Sequence, residues 1–148
     1  MNPIPIPRAT ELSFRLRLAL GLVGAILLAM LCVAVWLRPE ARGRGTHQQL
    51  GLPPCTFVML WNKPCPSCGM TTAWANVVRG RLPSAFAANV GGTLLAGIAL
   101  VAAPWSILAA IRGRPVGRLP SDRVLVGAAV ALMAITVLDW GLRLWNGI

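Results

Sequence analysis

Acidic side chains and histidine are scarce in this sequence, and their scarcity excludes several kinds of enzyme. The 148 residues include four acidic residues and a single histidine, His47. A Ser/His/acid hydrolase needs a histidine beside a nucleophile and a carboxylate, and glycosidases and two-metal enzymes need paired carboxylates. No glycine-rich phosphate-binding loop is present either. The sequence therefore does not favour a hydrolase or a nucleotide-dependent enzyme.

Charged residues of both signs are also few. They make up 12% of the chain, against 56% apolar residues, whereas an average soluble domain has about 25% charged residues. So little charge cannot cover a water-exposed surface, and we expect a membrane protein. The net charge is +10, and the arginines stand beside apolar runs, where they anchor helix ends and attract anionic lipid headgroups. We therefore expect the lipid bilayer as a partner, and no nucleic acid.

Three apolar runs are long enough to cross a bilayer. The first, at 18–37, has no charge over 20 residues, which at about 1.5 Å per residue spans a hydrocarbon core of about 30 Å. It is too long for the apolar part of a cleaved signal peptide, so we interpret it as a retained span. The sequence predicts an all-α integral membrane protein with a single domain, 1–148, and three transmembrane helices at about 18–37, 90–111 and 124–145.

The other features of the spans are small residues and one cysteine. Gly21, Gly24 and Ala25 suit close helix packing in the first span. Cys32 lies in the same run, and we expect it to be a small buried hydrophobe. The second span is expected to continue a helix that begins near residue 84.

A polar, Gly- and Pro-rich loop at 38–70 separates the first two spans. Within it, the apolar run 56–61 is too short to cross a bilayer and is expected to rest at the membrane interface. After the loop, Met70, Trp74, Val77 and Val78 recur at helical spacing. This pattern predicts a short interfacial amphipathic helix at 71–79, which Gly80 ends.

The basic residues give the orientation. With three spans, the basic residues divide into two sets of equal size on opposite sides of the membrane. The first set lies in short segments close to the ends of the spans, where the positive-inside effect is strongest. We therefore expect a cytoplasmic N-terminus and a cysteine loop on the outer side. The first set is Arg8, Arg15, Arg17, Arg112, Arg114, Arg118 and Arg123, and the second is Arg38, Arg42, Arg44, Lys63, Arg79, Arg81 and Arg143.

The sharpest chemical motif is the run from Cys65 to Gly69, Cys-Pro-Ser-Cys-Gly. Its two cysteines can chelate one ion, proline fixes the turn between them, and glycine permits a positive φ that turns backbone N–H groups towards a thiolate. The pattern resembles the knuckle of zinc-ribbon proteins. Because a zinc site wants four ligands, the favoured interpretation is a zinc site on Cys55, Cys65, Cys68 and His47.

Other chemistry is open to the same thiols. A C-x-x-C before a helix has a lowered thiol pKa, so Cys65 and Cys68 could form a membrane thiol-disulfide oxidoreductase with Cys55 as the resolving thiol. A static disulfide that holds the loop of a purely structural subunit is a further alternative, as are free thiols with a packing role.

Polar residues at the span ends are also candidates. Asp139 lies within the third apolar run, where it is either functional or paired with Arg143 one helical turn on, and we favour the ion pair. Asn89, at the mouth of the second span, can bond to loop backbone groups near the cysteines. Five tryptophans are interpreted as interface anchors or packing residues: Trp36, Trp61, Trp105, Trp140 and Trp145.

Three groups of residues within 46–89 carry a resemblance to a known family: Gly51-Leu52-Pro53-Pro54-Cys55, then Pro64-Cys65-Pro66-Ser67-Cys68-Gly69-Met70-Thr71-Thr72-Ala73, and then Arg79-Gly80 with Asn89. In these residues the chain resembles the bacterial domain of unknown function 2752 family. The family implies a multi-spanning inner-membrane protein, which would make the outer side periplasmic, and it brings no established activity. Many members carry arginine where Thr72 stands and proline where Val90 stands, so an arginine role near the thiols does not carry over.

Together these features favour a non-enzymatic membrane module. A structural metal would organise its outer loop, and the loop would serve interaction with another membrane protein.

Overall fold

A computed structural model of the chain describes residues 11–117 and 120–146. These residues form six α-helices and one short 3-10 helix, Thr46–Leu50, and they contain no strand. The predicted all-α fold is confirmed. The α-helices are α1 (Phe14–Trp36), α2 (Thr56–Trp61), α3 (Met70–Val77), α4 (Leu82–Ala88), α5 (Val90–Arg112) and α6 (Asp122–Trp145).

Helices α1, α5 and α6 are long and apolar enough to cross a membrane, with mean hydropathies of 2.8, 2.2 and 2.0 over their most apolar windows. They coincide with the three predicted spans, and the chain is a multi-pass membrane protein. Helix α1 begins four residues before the predicted span, at Phe14. Ser13 caps it there, since its hydroxyl accepts a hydrogen bond from the Leu16 N–H over 3.4 Å.

Helix α5 is the centre of the bundle and packs against both α1 and α6. Gly24 allows α1 to approach it closely, because a Cβ at this position would lie 2.6 Å from Ile107 Cγ1 and 3.1 Å from the Ala103 carbonyl oxygen. Small residues therefore bring the first two spans together, as the glycines of the first run predict. Helix α6 differs: none of its residues is buried, and α5 is the one helix against which it packs in the described part of the chain.

The three spans place the whole of 37–89 on one side of the membrane, which we call the cysteine side. Helices α1 and α6 end there and α5 begins there. On the opposite side the Leu12 N–H donates to the Gly113 carbonyl over 2.9 Å, and Arg17 Nε donates to the Ala110 carbonyl over 3.0 Å. These bonds join the start of α1 to the end of α5.

Helix α3 occupies the position of the predicted interfacial helix, but six of its eight residues are buried. Trp74 and Val77 join a core with residues of α1, α4 and α5. The helix lacks the water-facing side of an interfacial helix because alanines on its other faces let neighbouring helices approach. The apolar helix that stays exposed is α2, none of whose residues is buried.

Two other expectations are wrong. A continuous helix from residue 84 to 111 is not formed, because Asn89 is extended (φ −169°, ψ 115°) and separates α4 from α5. Cys32 is not buried but exposed on the surface of α1. The inward positions on this part of α1 are taken by Leu31 and Ala34.

Candidate metal centre

Three cysteine sulfurs come together on the cysteine side. Cys55 stands at the N-terminus of α2, and Cys65 and Cys68 lie in the turn that precedes α3. Their Sγ atoms all lie within 4.8 Å of one another, and Cys65 Sγ is 3.2 Å from Cys68 Sγ. Sulfurs that share one tetrahedral zinc ion are about 3.8 Å apart. All four cysteines are among the described residues, and each carries a free thiol.

The turn itself follows from its proline and glycine. The Cys68 N–H donates to the Cys65 carbonyl over 3.0 Å, and the Cys65 N–H donates to Cys68 Sγ over 3.3 Å. Gly69 has a φ of +88°, and a Cβ there would collide with the carbonyl oxygens of Ala88 and Gly43. Glycine is therefore required after the second cysteine both by its conformation and by the close approach of neighbouring backbone.

Asn89 fixes this turn to the start of α5. Its Nδ2 donates to the carbonyls of Pro66 (3.0 Å) and Cys68 (3.1 Å), and its Oδ1 accepts from the Gly92 N–H over 2.6 Å. The residue is fully buried. One side chain thus caps a membrane helix and holds the cysteine turn, which confirms the predicted bonding of Asn89 to the loop backbone.

Helix α6 reaches the same turn. Trp140 Nε1 donates to the Pro64 carbonyl over 2.8 Å, and Arg143 Nη1 donates to the Cys68 carbonyl over 3.0 Å. Arg143 is also paired with Asp139 at 3.0 Å, with side chains only 13% and 16% exposed. The favoured ion-pair interpretation of Asp139 is confirmed.

The contacts of Trp140 and Arg143 with the turn are the part of the site that sequence reasoning misses. Their partners are backbone carbonyls, which every residue has, so the sequence does not show which residues accept these bonds. The one available signal is that Asp139, Trp140 and Arg143 share a helix face at a spacing of three and four residues.

His47 is not part of the sulfur group. It lies in the 3-10 helix, and its Nε2 is 3.3 Å from the Pro53 carbonyl oxygen. It does line the same cavity as the three cysteines. Its role as a fourth ligand stays a prediction.

The cavity in front of the sulfurs has a volume of about 570 Å³. All three cysteines line it, together with Arg42, Arg44 and residues of the 3-10 helix. Thr46 and Thr72 are buried beside it, and their hydroxyls are 2.7 Å apart. This contact between the two hydroxyls joins the loop to α3.

The three thiols differ in acidity. Burial raises the pKa of Cys55, but interactions with the backbone N–H groups of Val58 and Phe57 and with the thiols of Cys68 and Cys65 outweigh burial and lower it to about 7. Burial, followed by the neighbouring Cys65 thiol, raises the pKa of Cys68 to about 12. At neutral pH the cluster therefore contains one thiol, Cys55, that ionises readily and one, Cys68, that keeps its proton.

Fold and site together define a helical, multi-pass membrane protein with three cysteine thiols gathered around a cavity beside the membrane. Residues 55–103 match the family described as "Protein of unknown function (DUF2752)". This match confirms the family resemblance for the segment that holds the cysteines, α3, α4 and the first part of α5. No curated protein and no solved structure matches the chain.

We expect the thiols to react with iodoacetamide in a defined order. In reduced, metal-free protein the reaction rate at Cys55 should rise with pH and reach half its maximum near pH 7, because the thiolate is the reactive form. Cys68 should stay unreacted until far higher pH, since its pKa is about 12. Mass spectrometry of peptides after timed quenching measures both. A Cys55 midpoint at the ordinary value of 9.0, or faster reaction of Cys68, would contradict this assignment.

Proposed function

We propose that this protein is a membrane-anchored metal-binding module, in which Cys55, Cys65 and Cys68 hold one structural zinc ion. The observation that carries the proposal is the mutual proximity of three sulfurs, all within 4.8 Å. A disulfide would use two of them and leave the third without a role. A metal ion uses all three, and thiolates are the ligands that zinc prefers in structural sites.

The fourth zinc ligand would come from the cavity. His47 lines it, and this side chain would leave the Pro53 carbonyl to reach the ion. A water molecule would fill the position otherwise. Zinc would also displace the proton from Cys68, so that binding becomes tighter as the pH rises.

The ion would join two parts of the chain that have few other contacts. Cys55 begins α2, which has no buried residue, whereas Cys65 and Cys68 belong to the turn held by α5 and α6. A shared zinc would fasten α2 to the bundle. The exposed apolar side chains of α2, among them Phe57, Met59 and Leu60, would then lie at the membrane interface as a surface for another membrane protein.

Thiol-disulfide exchange is the second candidate. It is favoured by the 3.2 Å separation of Cys65 and Cys68 and by the lowered pKa of Cys55. In such a reaction the Cys55 thiolate would attack a Cys65–Cys68 disulfide, form a new sulfur–sulfur bond with one of the two and release the other as a thiolate.

We further propose a bacterial inner-membrane location with the cysteine side facing the periplasm. Two basic residues of that side are engaged inside the protein: Arg143 pairs with Asp139, and Arg79 donates to the carbonyls of Ala34, Val35 and Ala75 at the end of α1 and in α3. The remaining positive charge beside the spans then favours the opposite side as cytoplasmic.

Protein purified in detergent without chelators should contain about one zinc per chain. Cys55→Ser and the Cys65→Ser/Cys68→Ser double variant should lose it, because each removes sulfur ligands. Cys32→Ser is the matched control and should keep it, since Cys32 is exposed on α1, outside the sulfur group. Elemental mass spectrometry and a thiol count on the same unfolded sample measure both quantities.

Absence of zinc together with two missing thiols would reject the metal centre. Oxidation of reduced protein by a disulfide or quinone would then separate the two remaining interpretations. Repeated turnover supports exchange, and a disulfide that never reopens supports a static link.

The orientation has its own test. A membrane-impermeant maleimide added to intact cells should label Cys55 in the Cys32→Ser background after zinc is chelated. Labelling that requires permeabilised cells would place the cysteine side in the cytoplasm.

A further inference from the structure

A chain of hydrogen bonds runs from α6 to a sulfur of the cluster. Trp140 Nε1 donates to the Pro64 carbonyl over 2.8 Å. The N–H of the same peptide group belongs to Cys65, and it donates to Cys68 Sγ over 3.3 Å. Because a peptide group is planar and trans, its carbonyl and its N–H point in opposite directions. A donor that fixes the carbonyl therefore also aims the N–H at the sulfur.

Arg143 contacts two other peptide groups of the turn. It donates to the Cys68 carbonyl (3.0 Å) and also lies within 3.5 Å of the Pro66 oxygen. Its positive charge is balanced by Asp139 at 3.0 Å. Arg143 thus supplies hydrogen bonds in a fixed fork and adds little net charge to the site.

Few other contacts hold α6 in place. None of its residues is buried, and its helix packing within the described ranges is limited to α5. The bonds of Trp140 and Arg143 are the direct connection between α6 and the cysteine turn.

We propose that Trp140 and Arg143 are positioning residues that set the metal affinity of the cysteine cluster by orienting the peptide groups of its turn. This inference rests on the proposed metal-binding function. It assigns a role to the third span, which lies outside the family match at 55–103. Donor bonds in series strengthen one another, so loss of the Trp140 bond weakens the N–H bond to Cys68 as well as loosening the turn.

Trp140→Phe tests the proposal, because it removes the indole N–H and keeps an aromatic ring. The matched control is Trp105→Phe. Trp105 Nε1 donates to the Val116 carbonyl over 2.7 Å on the opposite side of the membrane, so the control loses an equivalent bond far from the thiols. Zinc affinity is measured by competition with a chromogenic chelator, and the ligand field is followed with Co²⁺.

Trp140→Phe should weaken zinc binding by about tenfold or more and alter the Co²⁺ spectrum, whereas Trp105→Phe should leave both unchanged. In metal-free protein, thermal stability should fall by similar amounts in the two variants, since each loses one indole hydrogen bond. Equal zinc affinity in Trp140→Phe and the wild type would overturn the positioning role while leaving the metal site in place. Absence of zinc binding by the wild type would overturn both.

A second pair of variants tests the proposal if the Trp140→Phe protein does not accumulate. Arg143→Lys keeps the charge opposite Asp139 but loses the fork, and Arg79→Lys loses a similar set of carbonyl bonds at the end of α1. Weaker zinc binding in Arg143→Lys alone supports the proposal. An unchanged affinity in Arg143→Lys overturns it.

Discussion

The cysteine site depends on how the carbonyl groups of its turn are bound. The oxygens of Pro64, Pro66 and Cys68 accept hydrogen bonds from Trp140, Asn89 and Arg143. In a turn packed between the ends of membrane helices, an unbound carbonyl would cost several kcal/mol. Binding the Pro64 oxygen on the α6 side also leaves the Cys65 N–H of the same peptide group to face Cys68 Sγ. The same hydrogen bonds thus satisfy the backbone of the turn and position the thiol cluster.

Asn89 links the cysteine turn to the membrane-spanning helix α5. The same buried side chain caps α5 through Gly92 and holds the turn through its amide N–H groups. The break between α4 and α5 is the consequence, because a helical residue at this position could not use its side chain as an N-cap. Gly69 completes the fit, since only a residue without a Cβ leaves room for the Ala88 and Gly43 carbonyls.

Much of this arrangement can be predicted from short stretches of the sequence. The three spans follow from uncharged runs of sufficient length, and the turn follows from proline and glycine around the cysteines. The bonds of Asn89 are predictable because an isolated amide at the mouth of an apolar run must find partners. These features depend on a few adjacent residues.

The features that the sequence does not reveal depend on packing between distant segments. Burial of α3 requires α1, α4 and α5 to surround it, and the pattern of Met70, Trp74 and Val77 shows only one of its faces. Exposure of Cys32 depends on which face of α1 meets α5. The carbonyl bonds of Trp140 and Arg143 join residues more than 70 positions apart. Every residue has a backbone carbonyl, so the sequence does not indicate which carbonyl accepts the bond.

Zinc K-edge X-ray absorption of the purified protein tests the metal centre most directly, because it counts the atoms bound to the ion. We expect three sulfur neighbours at about 2.3 Å and one nitrogen or oxygen neighbour at about 2.0–2.1 Å. Zinc surrounded only by nitrogen and oxygen, or protein that holds no zinc and contains a disulfide between Cys65 and Cys68, would contradict it.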